Sequence, residues 1–213
     1  MKKSKLRLWG LLLAGIFIII SAQAEMKTDE MSSEDGLAVA TFAGGCFWCT
    51  ESDFEKLDGV AKVISGYAGG THMNPTYQAV SSGATKHLES VEVYYDPDKI
   101  SYEKLLDAFW KMVNPTDTGG QFVDRGYQYS TAIFYHNEAQ RRTAEASLKR
   151  LSASGRYDQA IVTPIREAVT FYDAEDYHQD YYKRNPVRYK IYRWNSGRDQ
   201  YLAKVWGKET LHN

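Results

Sequence analysis

The segment Gly44-Gly45-Cys46-Phe47-Trp48-Cys49 holds both cysteines of the chain and separates them by two residues. The apolar, β-prone residues 37–42 before it predict a strand, and residues 50–57 after it predict a helix. Cys46 is therefore predicted at a strand-to-helix turn, which the two glycines allow to be tight. Free backbone N–H groups and the positive end of the helix dipole favour a thiolate at such a position.

Two cysteines this close in sequence would close only a very small loop and could not hold distant elements together. We therefore predict a redox-active or catalytic pair in preference to a structural disulfide. An inert buried thiol is the alternative interpretation of Cys46. The sequence has no cluster of histidines and cysteines at metal-ligand spacing, so no metal site is predicted.

The N-terminus has the pattern of a secretory signal peptide. Four basic residues among the first seven precede an apolar run over residues 8–20, and Ser21-Ala22-Gln23-Ala24 supplies an Ala-x-Ala cleavage site. We expect residues 1–24 to be removed and the protein to be exported, either to a periplasm or to the medium. The alternative is an uncleaved membrane anchor, for which the apolar run is short. Residues 25–36 are polar and aperiodic, and they predict a flexible leader.

The mature chain is predicted to be acidic. Without residues 1–24 it keeps 189 residues, with 22 basic and 27 acidic side chains and a net charge of −5. This balance disfavours nucleic acid and anionic membrane surfaces as partners, and predicts no stable membrane association after cleavage. The length suits a single domain with a substantial core.

Helical and strand patterns alternate along the mature chain. The predicted strands are 37–42, 60–67, 89–95, 129–136 and 160–171, and the predicted helices are 46–57, 76–82, 101–114 and 137–154. Pro164 marks the last of these strands as an edge or bulged strand. Helices between strands predict a layered α/β or α+β sandwich around one sheet.

Six ordered segments resemble the peptide-methionine sulfoxide reductase A family. They are Gly44–Cys49, Gly66–Gly70, Asn74–Tyr77, His87–Glu89, Asp124–Ser130 and Ala174–Tyr181. The resemblance covers about residues 37–192 and is far more specific than an isolated Cys-x-x-Cys. It implies an α+β fold, a two-layer sandwich with a central mixed sheet and ferredoxin-like topology. It also implies a catalytic domain over residues 37–194, a C-terminal tail over 195–213, and reduction of the S epimer of methionine sulfoxide, free or in proteins.

The resemblance also implies roles for single side chains. Cys46 matches the nucleophile, which becomes a sulfenic acid as methionine leaves. Glu89 matches the proton donor, a role that requires burial to raise its pKa. Tyr77 and Tyr129 match the two hydroxyls that hold the sulfoxide oxygen. Apart from the resemblance, Glu89 is equally interpreted as a charged residue at a strand start, and most of the 16 tyrosines are expected to serve packing.

Three further residues are implied in substrate binding. Phe47 and Trp48 resemble the aromatic pocket for the ε-methyl group, although helix residues facing the core are a strong alternative. Asp124 matches an aspartate of the same site, or it caps a turn before Gly126. A lone histidine is more often structural, so we leave His87 and His178 outside the catalytic set.

Cys49 departs from the commonest pattern of the family. Many members have glycine at this position and carry recycling cysteines in a C-terminal tail, whereas residues 194–213 contain no cysteine. Cys49 is thus predicted to attack the Cys46 sulfenic acid and form a Cys46–Cys49 disulfide. No bound cofactor is expected, and the disulfide requires an external, thioredoxin-like dithiol reductant.

Two other functions are compatible with parts of the sequence. An exported, thioredoxin-like thiol–disulfide oxidoreductase would use the same Cys-x-x-Cys, but would not need Glu89, Tyr77 and Tyr129. A secreted binding module could use its tyrosines as a platform for a peptide or a glycan. Release of methionine from methionine sulfoxide would distinguish the reductase from both.

Overall fold

The computed structural model describes residues 36–211 of the chain. The predicted signal peptide, and the predicted leader up to residue 35, lie outside the described residues. Within the described range no helix combines the length and the apolar character needed to cross a membrane.

Strands and helices alternate through the described residues. The strands are β1 (Ala38–Gly44), β2 (Val60–Ala68), β3 (Leu88–Tyr95), β4 (Gly120–Gln121), β5 (Asp124–Arg125), β6 (Thr131–Tyr135), β7 (Ile165–Glu167) and β8 (Tyr172–Asp173). The helices are α1 (Phe47–Phe54), α2 (Tyr77–Ser81), α3 (Tyr102–Trp110), α4 (Glu138–Ala153), α5 (Tyr181–Arg184), α6 (Pro186–Asn195) and α7 (Arg198–Trp206). Short 3-10 segments occupy Tyr127–Tyr129 and Gly207–Glu209.

Six of the strands form one sheet in the order β7-β6-β1-β3-β2-β8. Neighbouring strands are antiparallel except β6 and β7, which are parallel, so the predicted mixed sheet is confirmed. The central strands β1, β2, β3 and β6, with α1 and α3, follow a β-α-β-β-α-β order, which is consistent with the ferredoxin-like description. Strands β4 and β5 form a separate hairpin.

The register of the two central strands places the cysteine turn beside Glu89. Phe42 of β1 lies opposite Val91 of β3 in an antiparallel pair. Two residues further along each strand, Gly44 and Glu89 are therefore adjacent. The C-terminal end of β1 and the N-terminal end of β3 thus lie side by side at one end of the central strands.

The main core lies between the sheet and the helices. The Phe42 ring of β1 packs with its centroid 4.9 Å from Phe54 of α1 and 5.1 Å from Phe109 of α3. Because successive strand residues face opposite sides, Ala43 belongs to a second, smaller cluster, which Phe171 covers. The sheet is thus buried mainly on its helical face, as a two-layer fold requires.

The helix starts follow the capping chemistry of the sequence. The Ser101 hydroxyl accepts a hydrogen bond from the Lys104 backbone N–H at 3.3 Å, and the Asn137 side chain accepts one from Gln140 at 2.9 Å. Helix α1 ends at Phe54, three residues earlier than predicted.

The strand predicted over residues 160–171 is wrong for most of its length. Only Ile165–Glu167 pairs with β6, and Tyr172–Asp173 forms a separate edge strand on β2. The Pro164 carbonyl accepts the backbone N–H of Ile133 at 3.0 Å. Pro164 has no N–H to donate in return, so the pairing with β6 ends there and the residues before it leave the sheet.

The segment predicted as a C-terminal tail contributes to the core. Helix α7 begins at Arg198, and its Leu202 and Trp206 belong to the main apolar cluster. The Arg193 guanidinium of α6 bonds both Asp199 of α7 and Asp53 of α1. The chain after residue 194 therefore packs on the same core as the helix before it.

Candidate active site

The turn that carries Cys46 has two built-in requirements for glycine. Gly45 has a φ of +82°, a conformation that side chains with a Cβ rarely adopt. A Cβ on Gly44 would lie 2.7 Å from the Thr50 hydroxyl. Cys46 caps α1, and its carbonyl accepts the backbone N–H of Cys49 at 3.1 Å.

A cavity of about 130 Å³ opens in front of this turn. It is lined by Cys46, Phe47, Trp48, Tyr77, Glu89, Asp124, Tyr129 and Tyr192. Seven of the eight residues singled out in the sequence thus line one cavity. The eighth, Cys49, is fully buried behind it.

Glu89 is held at the cavity wall as a buried carboxyl group. Its Oε2 accepts a hydrogen bond from the backbone N–H of Phe47 at 3.0 Å, and only 2% of the residue is exposed. Burial raises the pKa of Glu89 to about 8, helped by the Asp124 carboxylate and opposed by the Phe47 N–H. At neutral pH this carboxyl group is therefore mostly protonated and can donate a proton into the cavity.

Two tyrosine hydroxyls reach the same cavity from different elements. Tyr77 begins α2, and Tyr129 ends the 3-10 turn before β6. Burial raises the pKa of Tyr77 to about 12 and that of Tyr129 as well. Both side chains are therefore neutral hydrogen-bond donors.

The electrostatics of the cysteine pair differ from the sequence prediction. Burial, followed by contact with Cys49, raises the pKa of the Cys46 thiol, and the nearby carboxyl groups act in the same direction. The N–H group of Phe47, the first of α1, is used by Glu89, so it does not stabilise a Cys46 thiolate. The hydrogen bond from Cys46 lowers the pKa of Cys49 to about 7, with help from Arg198. The two hydrogen-bonded sulfurs therefore titrate as one pair, and the hydrogen bond favours the thiolate at Cys49 over Cys46.

A cavity that combines a thiol, a neutral carboxyl group and two phenols is suited to thiol attack on a substrate whose oxygen must be protonated. Residues 38–210 match the sequence profile of the family described as peptide methionine sulfoxide reductase. The chain belongs to this family. It is 53% identical over 171 residues to peptide methionine sulfoxide reductase MsrA of Bacillus licheniformis, covering 80% of this chain and 94% of that one.

Two further relatives extend this comparison. The chain is 48% identical over 205 residues to peptide methionine sulfoxide reductase MsrA/MsrB of Vibrio cholerae, covering 94% of this chain and about half, 54%, of that longer protein. The reduced form of Mxr1 from Saccharomyces cerevisiae has a similar structure. Its TM-score is 0.68 at 30% identity, over 75% of this chain and 91% of Mxr1.

Tyr192 is a residue of this MsrA-family cavity that sequence reasoning missed. It lies on α6, after the last of the six motif segments, and its hydroxyl donates to Asp124 Oδ2 at 2.5 Å. Burial raises the pKa of Asp124, whereas the Tyr192 hydrogen bond and Arg198 oppose that shift. A tyrosine among 16 carries no signal in one sequence that would have identified it.

Two polar residues behind the cavity hold its walls in place. The Trp48 indole N–H donates to His178 Nδ1 at 3.0 Å, so the neutral His178 carries its proton on Nε2. Glu175 accepts the backbone N–H of Tyr77 and the Tyr67 hydroxyl, each at 2.8 Å. His178, left outside the catalytic set, thus positions an aromatic wall of the MsrA-family site.

An acidic cluster lies outside the cavity. Oxygen atoms of Glu51, Glu55 and Asp180 come within 4.8 Å of one another, the kind of arrangement that can hold a cation. The Lys183 ammonium lies 2.6 Å from Glu55 and 2.7 Å from Asp180, so it supplies positive charge at this position.

Proposed function

We propose that this chain reduces methionine sulfoxide, free and in proteins, to methionine in a thiol-dependent reaction. The observation that carries this proposal is the buried Glu89 carboxyl group, which shares one cavity with Cys46 and two tyrosine hydroxyls. A sulfoxide is reduced by a thiol only if its oxygen is protonated as the S–O bond breaks. The raised pKa of Glu89 provides that proton at neutral pH.

The first half of the reaction uses groups that already face one another. The Cys46 sulfur attacks the substrate sulfur after losing its proton, which the Cys49 thiolate can accept. Glu89 protonates the oxygen, and Tyr77 and Tyr129 donate hydrogen bonds to it. The protonated oxygen then transfers from the substrate sulfur to the Cys46 sulfur as the bond between the two sulfurs breaks, so that Cys46 becomes a sulfenic acid and methionine leaves.

The second half restores the thiol. The Cys49 sulfur attacks the Cys46 sulfenic acid, water leaves and a Cys46–Cys49 disulfide remains. The two sulfurs are already hydrogen-bonded to each other at the first turn of α1, so the disulfide forms between neighbouring groups. An external thioredoxin-like dithiol then supplies two electrons and two protons, and no bound cofactor is needed.

Selectivity for the S epimer is part of the proposal. Phe47 and Trp48 form an apolar wall suited to the methyl group, and the oxygen donors Glu89, Tyr77 and Tyr129 belong to the same small cavity. With methyl and oxygen positions both fixed, only one configuration at sulfur exposes its electrophilic face to Cys46. An exported location is also proposed, and it is supported only by the sequence of residues 1–24.

The test is an assay of the purified protein on each methionine sulfoxide epimer with dithiothreitol as reductant. Methionine should be released from the S epimer, with turnover of the R epimer at least about 100-fold slower, as expected when one configuration cannot align with the catalytic groups. Equal turnover of both epimers would contradict the stereochemical part. Rapid reduction of protein disulfides with no methionine release would favour the thiol–disulfide oxidoreductase, which has no need of the Glu89, Tyr77 and Tyr129 side chains that line the cavity beside Cys46.

A further inference from the structure

One face of helix α6 covers Cys49. Tyr189 is buried on this face and forms an apolar cluster with Cys49 and Tyr181 of α5, with Tyr192 packed against the cluster. Arg193, on the same side, bonds the buried Asp53 carboxylate of α1. A reagent that approaches Cys49 from this side must therefore displace α5 and α6.

The opposite face of α6 is apolar and exposed. Val187, Ile191 and Trp194 are spaced by four and three residues, so they form one stripe. Their exposed fractions are 71%, 58% and 71%, and they are three of the nine large apolar side chains exposed among the described residues. A continuous apolar stripe on one helix is typical of a surface that binds another molecule.

Positive charge borders this stripe. No acidic residue occurs between Tyr181 and Arg198, and Arg188 and Lys190 are exposed beside the stripe. A groove of about 450 Å³ continues from Lys190 to Lys56 and Lys111, and the one acidic residue that lines it, Asp199, is paired with Arg193. The surface therefore suits a partner with an apolar contact area surrounded by acidic side chains.

We propose that the outer face of α6, formed by Val187, Ile191 and Trp194 with Arg188 and Lys190, is the docking surface for the dithiol protein that recycles this enzyme. The proposal rests on the proposed function, since it concerns the reductant of the Cys46–Cys49 disulfide. Docking on α6 places the partner directly over the helix that shields Cys49 and can draw that helix away.

The thiol exchange that follows is balanced. A donor thiolate attacks the Cys49 sulfur, a donor–Cys49 disulfide forms, and Cys46 leaves as a thiolate that takes up a proton. The second thiol of the donor loses its proton and attacks the donor's first sulfur, which is the one bonded to Cys49 in this mixed disulfide. Cys49 is released as a thiol, and the donor retains the disulfide.

The test compares two reductants on the full protein. The double variant Ile191→Ser, Trp194→Ser is assayed with bacterial thioredoxin, kept reduced by its NADPH-dependent reductase, and with dithiothreitol. We expect kcat/KM for thioredoxin to fall at least about tenfold, as for loss of a central aromatic contact, while dithiothreitol-dependent turnover stays within about twofold. The matched control Val162→Ser, Val169→Ser alters two other exposed apolar residues and should leave both activities unchanged.

A second measurement requires no sulfoxide reduction. Diamide-oxidised protein is mixed with a thioredoxin that lacks its second cysteine, and the mixed disulfide is mapped by mass spectrometry. We expect attachment at Cys49, formed at least about tenfold more slowly in the Ile191→Ser, Trp194→Ser variant. If the wild type releases no methionine with dithiothreitol, the proposed function fails, whereas the mixed disulfide still tests the docking surface.

Two results would overturn the docking proposal. One is unchanged thioredoxin kinetics and trapping in the double variant. The other is strong binding of the wild type to phosphatidylglycerol vesicles that the double variant loses, with thioredoxin kinetics unaffected, because the stripe would then be a membrane contact.

Discussion

Tyr192 donates its hydroxyl hydrogen to the Asp124 carboxylate over 2.5 Å, and this bond connects the helix above Cys49 with the substrate cavity. Asp124 lies on the small β4–β5 hairpin, whereas Tyr192 lies on α6. The two halves of the reaction are thus structurally linked, because a movement of α6 that exposes Cys49 also breaks a contact of the cavity wall.

Replacing Tyr192 by Phe should weaken substrate binding more than chemistry. The change leaves the partly buried Asp124 without this donor. We expect KM for methionine sulfoxide to rise about threefold to tenfold with kcat nearly unchanged, and the unfolding free energy to fall by about 1–3 kcal/mol. Steady-state kinetics with dithiothreitol and urea unfolding measure the two effects. Tyr135→Phe, outside the cavity on β6, is the control and should change neither. If both variants lost activity and stability equally, Tyr192 would have no specific role in the cavity.

The pH dependence of the reduction step should report Glu89. Its pKa of about 8 means that the working, protonated form is present below pH 8 and is lost as pH rises through 8. Because the cysteine pair first ionises near pH 7, the single-turnover rate should rise to a maximum between these values and then fall about tenfold per pH unit. Rapid-quench measurements of released methionine test this profile.

Glu89→Gln should slow this step by about 10²–10⁴-fold and abolish the decline at high pH, because the amide keeps the shape of the side chain but cannot supply the proton. Glu92→Gln is a matched control on the same strand, where the carboxylate bonds Tyr94 instead of facing the cavity. A high-pH decline that persists in Glu89→Gln would assign the titration to another group.

The sequence predicted the cavity far better than it predicted the helices that close it. Cys46 and Glu89 lie in local motifs at the ends of adjacent strands, where β-pairing alone brings them together. Tyr192 and His178 act through contacts with residues 68 and 130 positions away, and nothing in their own neighbourhoods specifies those partners. The packing of α7 was missed for the same reason, since Leu202 and Trp206 bury against elements distant in sequence.

The ion pair between Asp53 and Arg193 should make a large contribution to stability. Asp53 is 1% exposed, and its two carboxylate oxygens accept hydrogen bonds from Nη1 and Nη2 of Arg193, at 2.6 and 3.1 Å. Asp53→Asn leaves a buried guanidinium short of negative charge, so the unfolding free energy should fall by about 3–5 kcal/mol. Asp199→Asn removes the half-exposed carboxylate on the other side of Arg193 and should lower it by only about 0–1 kcal/mol. Urea unfolding of both variants checks this, and equal losses would contradict the contrast.

Replacing Cys49 by Ser separates reduction from recycling. The cavity keeps Cys46, Glu89 and both tyrosine hydroxyls, so Cys49→Ser should still release one methionine per enzyme when mixed with methionine sulfoxide without reductant. It should do so more slowly than the wild type, because the Cys46 thiol loses the thiolate beside it that can accept its proton. The protein should then stop with a Cys46 sulfenic acid, detectable by dimedone labelling.

Turnover with thioredoxin should collapse in Cys49→Ser, because thioredoxin exchanges with disulfides, whereas a small thiol that reaches Cys46 in the cavity should restore part of the activity. Cys46→Ser is the matched control and should release no methionine at all. Thiol counting after one turnover should show the loss of two thiols in the wild type. If Cys49→Ser cycled normally with thioredoxin, the sulfenic acid would be reduced directly at Cys46. Cys49 would then be a structural residue of α1, and the Cys46–Cys49 disulfide would have no place in the reaction.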